Sequence, residues 1–257
     1  MTYQTILYKE TGSIADVILN RPEKRNALND VMMKEIIAVF SEISTNKSMR
    51  VVVLSGAGSN FCSGMDLDYL QKISKYDLEQ NKADSQNFKN MLLAIYGCSK
   101  PVIAKVSGYA LAGGCGIATC CDMIIADETA KFGYPEVKIG FIPAIVMPFL
   151  LKRISETHAK DLMLTARVIN ADEALRMEMI NAITTKDALD DKVNEFCTLF
   201  KNNSLYSISL TKELLRKISG VNYEYALEYA SELNAETRMT EDFKQGIENF
   251  INKRKNK

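Results

Sequence analysis

The 257-residue sequence predicts an α/β fold with a helical C-terminal region. Three observations carry that prediction. Short apolar runs of strand length recur through the first half, several without polar alternation, as in strands buried on both faces. Segments with apolar residues at helical spacing lie between them, and strand–helix–strand alternation argues for sheets covered by helices. Past about residue 143 the strand signals thin out and helical patterns take over.

In chain order, IADVILN (14–20), VVVLS (51–55), VIAKV (102–106) and MIIA (123–126) read as strands. Met32, Ile36, Ile37, Phe40 and Ile43 mark a helix after the first strand. Phe88, Met91, Leu92 and Ile95 mark another before the third. SLYSISLTKELLRKIS is helical by pattern, and Tyr223, Ala226, Leu227, Ala230 and Leu233 fall on one face of the helix after it. Thr240 can cap a last helix, with Glu241 and Asp242 in its first turn and Phe243, Ile247, Phe250 and Ile251 as its stripe. The chain is read as a core over 1–195 and a helical region over 196–257, with no Pro/Gly/Ser-rich linker between them.

Composition excludes several functions. At 47% hydrophobic and 25% charged residues the chain matches soluble globular proteins. Lys plus Arg and Asp plus Glu are both 32, so a nucleic-acid partner held by phosphate contacts is not expected. The N-terminal MTYQTILYKETGS lacks the apolar core of a signal peptide, and no apolar run reaches the ~20 residues of a membrane span. Cys62, Cys98, Cys115, Cys120, Cys121 and Cys197 form no Cys-x-x-Cys pair, and His158 is the one histidine. They read as reduced, buried thiols of a cytoplasmic protein, with no metal site.

YALAGGCGIATCCD (109–122) places Gly113, Gly114 and Gly116 between a strand and a helix. The first N–H groups of a helix lack intrahelical partners, the macrodipole adds positive charge, and glycine admits close approach. The turn suits a phosphate, a carboxylate or a developing oxyanion. No Gly-Lys-Ser/Thr follows, and the third glycine of a dinucleotide fingerprint would fall on Thr119. A second loop, SGAGSNFCSGMDL (55–67), also leaves a buried strand through glycines, so two loops can each offer an N–H to one oxygen. In FGYPEVKIGFIP (132–143), Glu136 follows a proline among apolar residues, where burial would poise it as a base. Asp66 and Asp68 suit the N-terminal end of a helix, and His158 suits a surface or rim position.

Five blocks together resemble the enoyl-CoA hydratase/isomerase (crotonase) family: LNRPEKRNALN (19–29), SGAGSNFCSGMDL (55–67), VIAKVSGYALAGGCGIATCCDMIIA (102–126), AKFGYPEVKIGFIP (130–143) and LTARVINADEALRMEMIN (164–181). The resemblance covers essentially the whole chain. It implies a spiral of β-β-α units with a C-terminal helical trimerisation region, and trimers or hexamers made of two trimers. It implies an acyl-CoA thioester as substrate, with coenzyme A part of that substrate and no separate cofactor. By the same resemblance the N–H groups of Met65 and Gly113 form the oxyanion hole and Glu136 is the acid/base. Lys24, Arg25, Ala27, Ser63, Asp66, Leu67, Gly114, Gly116, Phe141 and Lys253 fall at the CoA and acyl positions.

Hydratases of the family use two glutamates, and here the first falls on Gly116. One carboxylate suffices for a 3,2-enoyl-CoA isomerase, which needs a single base. GCGIATCCD with PEVKIGFIPAIVMPFLLKRI instead resembles a hydratase branch acting on branched acyl-CoAs such as 3-methylglutaconyl-CoA, which has the same glycine. Ala144 stands where hydrolases and ring-substrate isomerases of the family carry an aspartate. A non-catalytic acyl-CoA- or RNA-binding member is the third reading. The bulk of Ala144, Ile145, Val146 and Met147 is expected to reshape the acyl pocket.

Overall fold

The computed structural model describes residues 3–255, with side chains to residue 252. The chain divides into two compact units, Met1–Phe200 and Lys201–Lys257. The first begins with strands β1 (Ile6–Thr11) and β2 (Ile14–Leu19), then helix α1 (Asp30–Thr45) and strand β3 (Val51–Gly56). It continues with α2 (Leu67–Ile73), α3 (Leu78–Tyr96), β4 (Val102–Val106), β5 (Tyr109–Leu111) and α4 (Gly113–Cys120). Next come β6 (Met123–Asp127), β7 (Lys131–Gly133), α5 (Met147–Leu150), α6 (Glu156–Thr165), β8 (Val168–Asn170) and α7 (Ala171–Arg176). It ends with β9 (Ala182–Thr184) and α8 (Leu189–Lys201). The second unit holds α9 (Leu205–Lys217), α10 (Tyr223–Arg238) and α11 (Glu241–Lys255).

The main sheet has the order β1-β2-β3-β4-β6-β9, with β1 antiparallel to β2 and every other pair parallel. Its unbroken apolar runs have a direct cause. Alternate residues Val52 and Leu54 of β3 join the large core, whereas Val51 and Val53 join a second cluster with Leu189, Val193 and Cys197 of α8. Helices therefore cover both faces, and both residue sets must be apolar. A smaller sheet, β5-β7-β8, stands apart from the first. This is the α/β architecture of β-β-α units followed by C-terminal helices.

Local chemistry fixes the helix starts. Asn29 caps α1 by accepting from the Met32 N–H at 2.9 Å, and Met32, Met33, Ile36, Val39, Phe40 and Ile43 are its buried face. Asp77 and Gln80 form a reciprocal capping box on α3. The Thr240 hydroxyl accepts from the Phe243 N–H at 3.3 Å at the start of α11. All six cysteines are free and buried. Among the described residues no helix is long and apolar enough to cross a membrane.

Candidate active site

Three loops are stitched together by their backbones. The Ser63 N–H donates to the Arg25 carbonyl at 3.0 Å, Leu28 to Gly64 at 2.8 Å and Asp66 to Leu28 at 2.8 Å. Cys62 donates to Tyr109 at 2.9 Å, and Leu111 returns a bond to Cys62 at 3.0 Å. Asn26 pins the arrangement from inside. It is fully buried, donates to the Ala57 and Asn60 carbonyls at 2.9 and 2.7 Å, and accepts from the Arg21 N–H at 2.9 Å. Its φ of 56° lies in the left-handed region that asparagine tolerates better than most residues.

The stitching brings two backbone donors side by side. Gly64, at φ 101°, approaches the next loop so closely that a Cβ there would lie 2.9 Å from the Ala112 Cβ and 3.8 Å from the Gly113 nitrogen. The following N–H, of Met65, and the N–H of Gly113 thus belong to touching segments. Ala112 has φ 49° and ψ −124°, a strained conformation for a residue with a side chain. Its N–H donates to the Gly133 carbonyl at 2.8 Å and its carbonyl accepts from Gly116 at 3.0 Å, so both flanking peptides are fixed. Among the described residues no acceptor meets the N–H of Met65 or Gly113. Gly113 opens α4, where the macrodipole adds positive charge. Gly114 permits the packing, because a Cβ there would fall 2.2 Å from the Cys62 carbonyl oxygen.

The other end of α4 is held by a cation. Arg153 donates through Nε to the Thr119 carbonyl at 3.0 Å, through Nη1 to Met179 at 3.4 Å, and through Nη2 to Cys121. Burial lowers its pKa below the ordinary arginine value. A guanidinium among the last carbonyls of a helix also complements the dipole.

Glu136 lies three residues beyond Gly133, in a 3-10 turn over Pro135–Ile139 closed by Gly140 at φ 73°. It is 9% exposed, and among the described residues Oε2 has no hydrogen-bond partner. Burial raises its pKa above the ordinary 4.5, opposed by a bond from its own backbone N–H. Burial also pushes the Cys115 thiol up to about 12, with hydrogen bonding to Tyr134 and Gly133 opposing the shift and the Glu136 charge adding to it. Cys115 is therefore a neutral thiol near Glu136 and a poor nucleophile at neutral pH. Tyr134 is fully buried, its hydroxyl 3.5 Å from the Thr119 Oγ1. At Gly116 a Cβ would lie 2.2 Å from the Val146 Cγ1.

The remaining sequence-predicted residues divide by environment. Lys24 is exposed and pairs with Asp68 at 2.9 Å. Arg25 is exposed, Ala27 is buried and Ser63 is half-buried. Asp66 pairs with Arg21 at 2.7 Å and caps α2 by accepting from the Asp68 N–H. Burial raises its pKa, but the Arg21 and Asp68 contacts outweigh that and hold the carboxyl below 3.8. Leu67 and Phe141 project into solvent, 80% and 57% exposed. The side chain of Lys253 lies outside the described residues. His158 is half-buried in α6. Sequence reasoning missed Asn26, Arg21, Ala112 and Arg153, whose partners are set by tertiary contacts rather than by local spacing.

The enoyl-CoA hydratase/isomerase family matches residues 9–257. The short-chain-enoyl-CoA hydratase of Clostridium acetobutylicum is 34% identical over 262 residues, spanning 99% of this chain and 97% of its own. The crystal structure of an enoyl-CoA hydratase from Shewanella pealeana has a TM-score of 0.93 at 32% identity, covering 97% of this chain and 94% of that one. Pseudomonas aeruginosa AtuE gives a TM-score of 0.94 at 29% identity, covering 97% of each chain.

Proposed function

The chain belongs to the enoyl-CoA hydratase/isomerase family, and we propose that it adds water across the double bond of a 2-enoyl-CoA, with Glu136 as its single acid/base. The observation that carries this reading is the state of Glu136. It is a buried carboxyl of raised pKa, with one unpartnered oxygen, on a turn tied through Gly133 to the strained residue before Gly113. The thioester oxygen accepts from the N–H groups of Met65 and Gly113. The Glu136 carboxylate takes a proton from water as the water oxygen bonds to C3. The C2=C3 pair shifts toward C1, and the carbonyl oxygen gains charge as an enolate. The two N–H groups bind that oxyanion more strongly than the neutral carbonyl, which lowers the barrier. Glu136 then returns its proton to C2, so H and OH are both accounted for and the carboxylate is restored.

The resemblance of the segments around Gly116 and Glu136 supports a branched acyl group, such as that of 3-methylglutaconyl-CoA. Lys24, Arg25, Ala27, Ser63, Leu67 and Lys253 are assigned to the CoA side, and Gly114, Gly116 and Phe141 to the acyl side. Asp66 joins the CoA side by fixing α2 through Arg21. No separate cofactor is needed. The reading includes a cytoplasmic trimer or dimer of trimers. Its support is that α9 and α10 bury no residue within the chain, while Tyr223, Leu227, Phe243 and Ile247 stand exposed. Light scattering at micromolar concentration tests this, and a monomer would refute it.

One observation favours double-bond migration as the second reading. Position 116 has no room for a second carboxylate beside Val146, and an isomerase needs only one base to carry a proton between C2 and C4. Incubation with 2-enoyl-CoA, 3-methylglutaconyl-CoA and 3-enoyl-CoA separates the two. Hydrated product supports the first, and conversion of 3-enoyl- to 2-enoyl-CoA without hydration supports the second. CoA-ester binding with neither reaction across the panel would leave a binding protein. Equal turnover by Glu136→Gln would remove Glu136 as the base.

A further inference from the structure

Ala112, Cys115 and Thr119 follow one another along α4 at spacings of three and four, so they share one face of the helix. That face meets the strand end that leads to Glu136. The Ala112 N–H donates to the Gly133 carbonyl at 2.8 Å. The Cys115 thiol is in hydrogen-bonding contact with Gly133 and Tyr134. The Tyr134 hydroxyl lies 3.5 Å from the Thr119 Oγ1. Thr119 gives its one hydroxyl proton to the Gly116 carbonyl at 3.0 Å, so Tyr134 is the donor of that pair. The anchor is itself held, because the Thr119 carbonyl accepts from Arg153 Nε at 3.0 Å. Only Pro135 separates Tyr134 from Glu136. Proline fixes its own φ and narrows the conformations of the residue before it. The place of the Glu136 carboxyl therefore follows from where Tyr134 is tied. Downstream the turn runs out to Val137, Ile139 and Phe141, all exposed.

We propose that Tyr134 is a positioning residue: its buried hydroxyl, bonded to Thr119, ties the Glu136 turn to α4 and so fixes the carboxyl relative to the N–H of Gly113 at the start of that helix. The inference rests on the reading of Glu136 as the acid/base. Burial, not a neighbouring charge, raises the pKa of Glu136. The titratable groups beside it, Cys115 and Tyr134, stay neutral because burial raises both. Tyr134→Phe keeps the ring and removes the tie, so water gains access to the carboxyl. Its pKa is then expected to fall toward the ordinary 4.5, and the acid limb of kcat/KM to move to lower pH with it. A fall in kcat of roughly three- to tenfold at constant KM is expected, the value of one hydrogen bond. A purely structural role would lower the denaturation midpoint and leave the acid limb in place. Thr119→Val, which removes the acceptor at the other end, is expected to act alike and decides the matter if the tyrosine variant does not fold. Thr119→Ser restores the hydroxyl and is expected to recover the native acid limb. The double variant Tyr134→Phe with Thr119→Val is expected to fall no further than the worse single one. The carboxyl is also followed without substrate, by carbon-13 titration of the glutamate side chains assigned with Glu136→Gln. An unchanged Glu136 titration in the folded variants would overturn the proposal, as would a shifted titration with native kcat. Absence of turnover by the native chain would instead overturn the acid/base reading, and the titration alone then decides whether Tyr134 holds the carboxyl.

Discussion

The site has two halves built on different principles. The proposed oxyanion half is backbone: the N–H groups of Met65 and Gly113, held by loops whose peptides bond to one another and by glycines that admit no Cβ. The proposed acid/base half is one side chain, Glu136, on a short turn with exposed apolar residues, Ile139 at 69% and Phe141 at 57%. The first half is overdetermined, so its function and its stability share the same contacts. The second half holds a carboxyl that burial destabilises in its charged form. There function opposes stability. Substitutions in the two halves should therefore fail in different ways.

The largest effect is expected on the backbone side. Gly114→Ala puts a Cβ 2.2 Å from the Cys62 carbonyl oxygen, a contact that only backbone movement can relieve. A loss of about 3 kcal/mol or more is expected, with activity lost alongside. Chemical denaturation with an activity assay reads both. A folded, stable Gly114→Ala variant with native turnover would break the comparison at its root.

Glu136→Gln should show the reverse behaviour. Turnover is expected to fall on the order of a hundred- to ten-thousand-fold, the usual contribution of a positioned general base. Stability at neutral pH should rise by about 0.5–2 kcal/mol. The sign follows from linkage. The folded pKa is raised, so the folded state binds the proton more tightly than the unfolded state, and stability falls as pH rises through the raised pKa. Glutamine cannot ionise, so the gain should vanish at low pH, below the unfolded-state pKa. In the native chain, kcat/KM should fall on the acid side through a pKa above 4.5. A destabilised Glu136→Gln variant at pH 7 would show that the carboxylate is structural.

The two halves were also unequally legible in the sequence. The strands of the main sheet are apolar on both faces because helices cover both, so β2, β3, β4 and β6 stand out as runs. β1 does not, since this edge strand buries Ile6 and exposes most of its other residues. β5, β7, β8 and β9 have three residues each, too few for any periodicity. In the site, glycine spacing marks the donor loops because close approach demands glycine. Nothing local marks Asn26, whose carbonyl acceptors lie 31 and 34 residues away. The obstruction at Gly116 likewise comes from Val146, thirty positions later. The bulk of 144–147 was readable, but not the contact it makes.

Asn26→Ala sharpens the comparison from the loop side. It frees the Ala57 and Asn60 carbonyls and the Arg21 N–H and leaves a buried void. A cost of about 2–3 kcal/mol is expected, with lower turnover, since the same loops set the Met65 N–H. Native turnover in a destabilised variant would mean that the donor geometry survives without this tie.

The smallest effect is expected at Lys24, at the edge of the same loops. Its ammonium meets Asp68 at 2.9 Å, but the two side chains are 47% and 82% exposed. Exposed pairs of this kind contribute little to stability, because solvent screens them and ordering two long side chains costs entropy. Lys24→Ala should therefore leave the denaturation midpoint nearly unchanged. The same cation lies on the side assigned to CoA, where a phosphate can compete with Asp68 for it. KM for an acyl-CoA should then rise severalfold while kcat stays constant, the signature of lost uniform binding. Raising the salt concentration should shrink the difference between native and variant. An unchanged KM at low salt would assign Lys24 to α2 through Asp68 alone, and a fall in kcat would place it closer to the oxyanion donors than its exposure suggests.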